Sequence, residues 1–260
     1  MNRPHDYRGL LVLLALCALS PSACMTMARV HPELEARRSR ITRVAVLPPE
    51  TKFVLVTFKG DNPRMSAEED SAKAVLPGMI ATKLREHGLV VDETGVTSNS
   101  DLRFQATELQ ATFDQALGDL FAAAPGTKPI QTSRSLGTQA ARVADPLGVD
   151  ALAVVRVEGY TKSGGEIAKD YAKSVVGTVL TLGVLVPIPS PASGAAMVCG
   201  LVDGSTGDVL WTNATRAPSA SLDAPGMQAL VNAVFKDFPA GRFGPVEAAS
   251  VKSGAEGVTH

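Results

Sequence analysis

The segment Ala151-Leu-Ala-Val-Val-Arg-Val-Glu-Gly-Tyr160 constrains the fold more than any other, being apolar throughout its first half and alternating in its second. A β-branched run of that length and pattern reads as a strand. Shorter runs of the same kind are Val44–Pro48, stopped by Pro49, then Phe53–Phe58 and Leu89–Asp92. Ala195–Val202 and Val209–Asn213 form a hairpin around the turn Asp203-Gly-Ser-Thr-Gly-Asp208. Between these lie helical stripes. Ser66 offers an N-cap, with Glu68, Glu69 and Asp70 in the first turn and Ala74, Leu76, Met79, Ile80, Ala81 and Leu84 as the apolar face. Pro77 should kink or divide this helix and Gly88 should end it. Further helices are expected over 101–124, broken by Pro125-Gly-Thr-Lys-Pro129, over 135–144, and over 224–238. Strands alternating with helices and closing on a hairpin predict a single α/β domain over 43–244, a mixed β-sheet with helices packed on it.

Composition removes several function classes. With 25 basic and 26 acidic residues, the chain has no footprint for nucleic acid. Apolar residues make up 45%, enough for a core, and aromatic residues only 5%, which argues against a base- or sugar-stacking surface. His31, His87 and His260 stand apart, and no Gly-x-Ser-x-Gly or His-x-x-x-His pattern accompanies them, so no catalytic residue, metal ligand or cofactor site is assigned. His87 reads as a favourable contact at a helix end, and the pairs Glu68/Glu69 and Asp92/Glu93 as solvated charge. Cys199, in an apolar setting, reads as a small buried hydrophobe.

Two motifs near the hairpin are structural on this reading. Asp203 suits an Asx-turn, Gly204 and Gly207 accept positive φ, and Thr206 completes a tight turn. Trp211 shares a strand face with Val209 and anchors the core, its indole N–H requiring a partner.

The amino terminus carries an address. Arg3 and Arg8 precede the apolar run Leu10–Leu19, too short to span a bilayer, and Ser20-Pro-Ser-Ala23 supplies small residues before Cys24. The passage resembles the lipobox of bacterial lipoproteins, although Pro21 stands where that family prefers an aliphatic residue. The resemblance implies cleavage after Ala23, covalent lipid (diacylglycerol with a palmitate-like acyl chain) on Cys24, and a polar tether over 24–42. Met25 is not the Asp of inner-membrane retention, which implies an outer-membrane anchor with the body facing the periplasm. Residues 1–23 are then a signal peptide, and 245–260 a disordered tail.

Three motifs in order, Arg43-Val-Ala-Val-Leu-Pro-Pro49, Leu147-Gly-Val-Asp-Ala-Leu152 and Leu201–Trp211, resemble small envelope lipoproteins whose fold is like the amino-terminal domain of TolB. CsgG-like and LpoB-like lipoproteins are more distant members. The resemblance implies a non-enzymatic adaptor that acts by protein–protein contact on an envelope machine for transport, secretion or wall synthesis. The alternative it implies is a ring-forming secretion or export component; a periplasmic enzyme is the third reading.

One stretch keeps three readings open. Val175, Val176, Gly177, Val179, Leu180, Thr181, Leu182, Val184, Leu185 and Val186 form an almost wholly apolar run closed by Pro187, Pro189 and Pro191. As a helix it sets Gly177 and Thr181 on one face for close approach; as a strand it is long enough to cross a bilayer in a hairpin. It is a buried element, a homo-oligomer or partner contact, or a membrane hairpin.

Overall fold

A computed structural model describes residues 27–57, 62–126, 128–162, 193–218 and 220–244. Its strands are β1 (Arg29–Val30), β2 (Arg43–Val46), β3 (Glu50–Val56), β4 (Val90–Asp92), β5 (Ile130–Gln131), β6 (Ala151–Lys162), β7 (Ser193–Asp203) and β8 (Val209–Pro218). Its helices are α1 (Leu34–Arg38), α2 (Ser66–Glu86), α3 (Ser100–Leu120), α4 (Gln139–Leu147) and α5 (Ala224–Phe235). The strands make one mixed eight-stranded sheet in the order β4-β2-β6-β7-β8-β1-β5, with β3 also paired to β6.

The long strand β6 organises the sheet. Its first half takes β2 in parallel, Val44 opposite Ala151, and its second half takes β3, Glu50 opposite Arg156 through Val56 opposite Lys162. Pro48 and Pro49, which lack an N–H for the ladder, separate the two short strands. On its other side β6 pairs antiparallel with β7, and β7 with β8. Asp150 ties the parallel junction, accepting from Thr42 N–H (2.7 Å), Thr42 Oγ (2.7 Å) and Arg43 N–H (2.8 Å).

Helices cover both faces, so the apolar first half of β6 has cores on both sides. On one face α2 and α5 lay Leu76, Ile80, Leu230 and Val234 over Ala153, Val155, Met197 and Leu201. On the other, α3 and α4 lay Leu109, Phe113, Val143 and Ala144 over Leu152, Val154, Val198 and Val202. The α/β expectation holds, with a mixed sheet between helices.

Several local expectations are corrected. Residues 29–42 are not tether: β1 pairs with β8 and β5, and Leu34 and Ile41 are core residues. Arg29 is buried and holds the carboxyl end of α3, donating to Leu120 O (2.9 Å) and Ala123 O (2.6 Å) with its guanidinium over Phe121. Pro77 does not divide α2, which runs unbroken; burial of Leu76 and Ile80 beside it offsets the one hydrogen bond the proline removes. Ser66 is the first helical residue and makes no side-chain cap. Pro146 likewise lies inside α4, which Gly148 ends at φ +60. The last helix stops at Phe235, and Ile130–Gln131, directly after the Pro125–Pro129 break, adds an unexpected edge strand.

Trp211 does not share a face with Val209. A bulge at Leu201/Val202 sets Leu201 opposite Trp211 and Val202 opposite Val209, so Leu210 is extra. Val209 therefore enters the α3–α4 core, whereas Trp211 enters the α2–α5 core beside Phe235 and Phe238. His87 is not a simple dipole contact either: it lies on Phe238 at 4.6 Å, and burial pushes its pKa down, favouring neutral imidazole. Cys24, the run Val175–Val186 and residues 245–260 lie outside the described residues.

Candidate functional site

The first candidate is the β7–β8 turn. Asp203 Oδ1 accepts from Ser205 N–H (3.0 Å), Ser205 Oγ (2.6 Å) and Thr206 N–H (3.1 Å). Its Oδ2 faces Arg40 at 3.1 Å and Arg37 at 3.4 Å, and Arg37 also meets Asp208 at 2.6 Å. Burial pushes the Asp203 carboxyl up, but the Ser205 and Thr206 hydrogen bonds and Arg40 outweigh it and hold the pKa below its usual value. Gly207 sits at φ +74 with the Gly137 carbonyl oxygen 2.1 Å from where a Cβ would be, so only glycine fits. Gly204 has ordinary φ and is needed for another reason: a Cβ there would lie 2.6 Å from the Ala144 Cβ. Trp211 is fully buried and donates its indole N–H to Asp237 O (3.2 Å). This cluster locks the amino-terminal helix α1 onto the hairpin.

The second candidate is a cleft of about 600 Å³ where the Pro48–Pro49 break meets α2 and α3. Glu50 and Thr51 come from β3, Gln110 and Asp114 from α3, and Arg64 and Lys73 from the start of α2 and the turn before it. Arg156, in register with Glu50 on β6, pairs with Asp114 (2.7 Å) and Glu158 (2.5 Å). Burial and a hydrogen bond with Glu50 push the Asp114 pKa up to about 7, against the pull of Arg156. Gln110 donates Nε2–H to Asp114 Oδ1 at 3.5 Å, while its Oε1 and the Thr51 hydroxyl are buried without a hydrogen-bond partner among the described residues.

Next to the cleft, Glu69 corrects the expectation of solvated charge. It is buried, takes Arg64 on both oxygens (2.8 and 2.7 Å), and accepts from Phe53 N–H (2.9 Å). Glu93 pairs with Arg85 across the end of α2. Cys199 is buried and its thiol pKa is pushed up by desolvation, which suppresses the reactive thiolate.

Sequence reasoning singled out the turn residues but none of the cleft. Its parts are too far apart in the chain to form a motif. The available signal was Arg156 and Glu158, two charges two residues apart on one face of an otherwise apolar strand. Among the described residues no group of three or more His, Cys, Asp or Glu is placed to hold a metal ion. No described helix is long and apolar enough to cross a membrane.

No family model matches the chain, and no curated protein matches it. Solved structures do. The PelC dodecamer from Paraburkholderia phytofirmans in space group P6 is 13% identical, covering 78% of this chain and 92% of its own, with a TM-score of 0.34. A substituted form of it in space group C2 gives 13%, 78%, 92% and 0.35. Lipoprotein GNA1162 from Neisseria meningitidis is 16% identical, covering 75% of this chain and 96% of its own, with a TM-score of 0.33.

Proposed function

We infer that this chain is a lipid-anchored outer-membrane lipoprotein of the TolB-amino-terminal-like group, facing the periplasm and acting by protein contact rather than by catalysis. The observation that carries the reading is the nearness of the folded body to Cys24. Ala28, the fourth residue after it, is already fully buried, and Arg29 opens the sheet. At about 3.5 Å per extended residue, four residues reach no more than ~14 Å. Lipid on Cys24 would therefore hold the body against the bilayer surface, with no long tether to range through the periplasm. Two or more acyl chains anchor stably, at about 0.8 kcal/mol per buried methylene.

Cell fractionation tests the reading. Wild-type protein is expected in the membrane fraction and Cys24→Ser in the soluble periplasm. Retention of the serine variant in membranes overturns the anchor.

The apolar run Val175–Val186 supports the second reading, a ring-forming export component. Detergent-extracted protein would then sediment as a large ring that Leu180→Asp disperses, and a monomer with either sequence excludes the ring.

A further inference from the structure

We propose that the cleft between β3 and α3 receives the basic side chain, Lys or Arg, of a partner polypeptide. This deepens the contact reading above and rests on it for the nature of the partner. Thr51 and Gln110 line the cleft, are only 3% and 6% exposed, and each keeps one oxygen without a hydrogen-bond partner among the described residues. A buried polar atom left this way is costly, and a ligand with hydrogen-bond donors relieves the cost. The bond from Gln110 Nε2 to Asp114 turns the amide nitrogen to the carboxylate and leaves the oxygen as the atom to be satisfied.

Two of the three cations at the cleft, Arg156 and Arg64, are already committed. Arg156 is divided between Asp114 and Glu158. Arg64 gives Nε and Nη2 to Glu69 and Nη2 also to Thr51 O, and Lys73 stands half exposed near Asp70. The unfilled capacity is on oxygens: Gln110 Oε1 and the Glu50–Asp114 carboxyl pair accept, and the Thr51 hydroxyl can accept as well as donate. Pro48, Pro49, Ala106 and Ala111 add apolar wall for the methylene stem of a basic side chain. The volume exceeds one side chain, which suits a residue carried on a polypeptide rather than a free small amine.

The charged groups around Asp114 are Glu50 on β3, Arg156 and Glu158 on β6, and Arg64 and Lys73 on the α2 side. Burial and the hydrogen bond with Glu50 raise the Asp114 pKa to about 7, so a share of the carboxyl carries a proton at that pH. An entering guanidinium replaces that proton as the partner of the pair, and the proton leaves to buffer.

Calorimetric titration of the full-length protein in detergent tests this, with Nα-acetyl-argininamide as probe and Nα-acetyl-glutaminamide and Nα-acetyl-glutamate as controls. The arginine probe is expected to bind one per chain, at least about tenfold tighter than the glutamine probe. At pH 7 its heat should vary with buffer ionisation enthalpy, showing proton release. Asp114→Asn should weaken it by about tenfold or more and abolish the release. Lys73→Ala, on an exposed position, should tighten it about twofold by removing a like charge. No preference for the cation, preference for glutamate, or weaker binding in Lys73→Ala overturns the proposal. Probe binding needs no lipid on Cys24, so failure here and failure of the anchor are read separately.

Discussion

The turn at the end of the β7–β8 hairpin and the cleft at the β2–β3 break are both polar clusters, yet they differ in saturation. At the turn, both oxygens of Asp203 are filled by Ser205, Thr206, Arg37 and Arg40. In the cleft, the side-chain oxygens of Thr51 and Gln110 lack hydrogen-bond partners among the described residues, and the Asp114 pKa is raised to about 7. A filled network stabilises the chain that makes it. An unfilled one costs stability and gives an incoming group something to bind.

Substitution should separate the two regions by sign as well as size. Asp203→Ala strips three hydrogen bonds and leaves Arg37 and Arg40 without that carboxylate, so denaturant unfolding should show a loss of about 3 kcal/mol. A loss under about 1 kcal/mol would mean the turn is not the filled network described.

Acid and base should also act oppositely. Asp203 and Asp208 have lowered folded pKa values, so their contribution is complete above the unfolded carboxylate range and disappears as pH falls through the folded values. Asp114 is raised to about 7, so its contribution is complete below its unfolded pKa of about 4 and is lost as pH climbs toward about 7. Melting temperature measured across that window should therefore fall more in the wild type than in Asp114→Asn. Parallel profiles would remove the carboxyl pair from the account.

The smallest effect is the most discriminating. Thr51→Val deletes an oxygen that lacks a partner, and Gln110→Leu deletes another together with only the long 3.5 Å bond from Nε2 to Asp114, so stability should change by less than about 1 kcal/mol or rise. A loss comparable to that of Asp203→Ala would show that the two oxygens are bonded after all, and the contrast would collapse.

Periodicity made the strands, the hairpin and the order of helices legible, because burial on a sheet face or helix stripe leaves a local pattern. What it missed was settled by contacts distant in sequence. Arg29–Val30 is a two-residue strand with no periodicity to detect, placed by β8 and β5. Proline at 77 reads locally as a break, but the buried neighbours Leu76 and Ile80 keep the helix whole. One extra residue, Leu210, moves Trp211 to the face opposite Val209, and alternation cannot announce a bulge. Glu69 looks like surface charge until Arg64 and the Phe53 N–H are folded against it. The cleft was illegible for the same reason, since Glu50, Gln110, Asp114 and Arg156 meet only once β3 and α3 lie on β6.

Lipid on Cys24 is the central claim, and mass spectrometry of the mature amino-terminal peptide tests it most directly. It predicts a peptide that begins at residue 24 and carries the added mass of a diacylglycerol on sulfur. A mature chain that starts elsewhere, or an unmodified cysteine at its start, would contradict it.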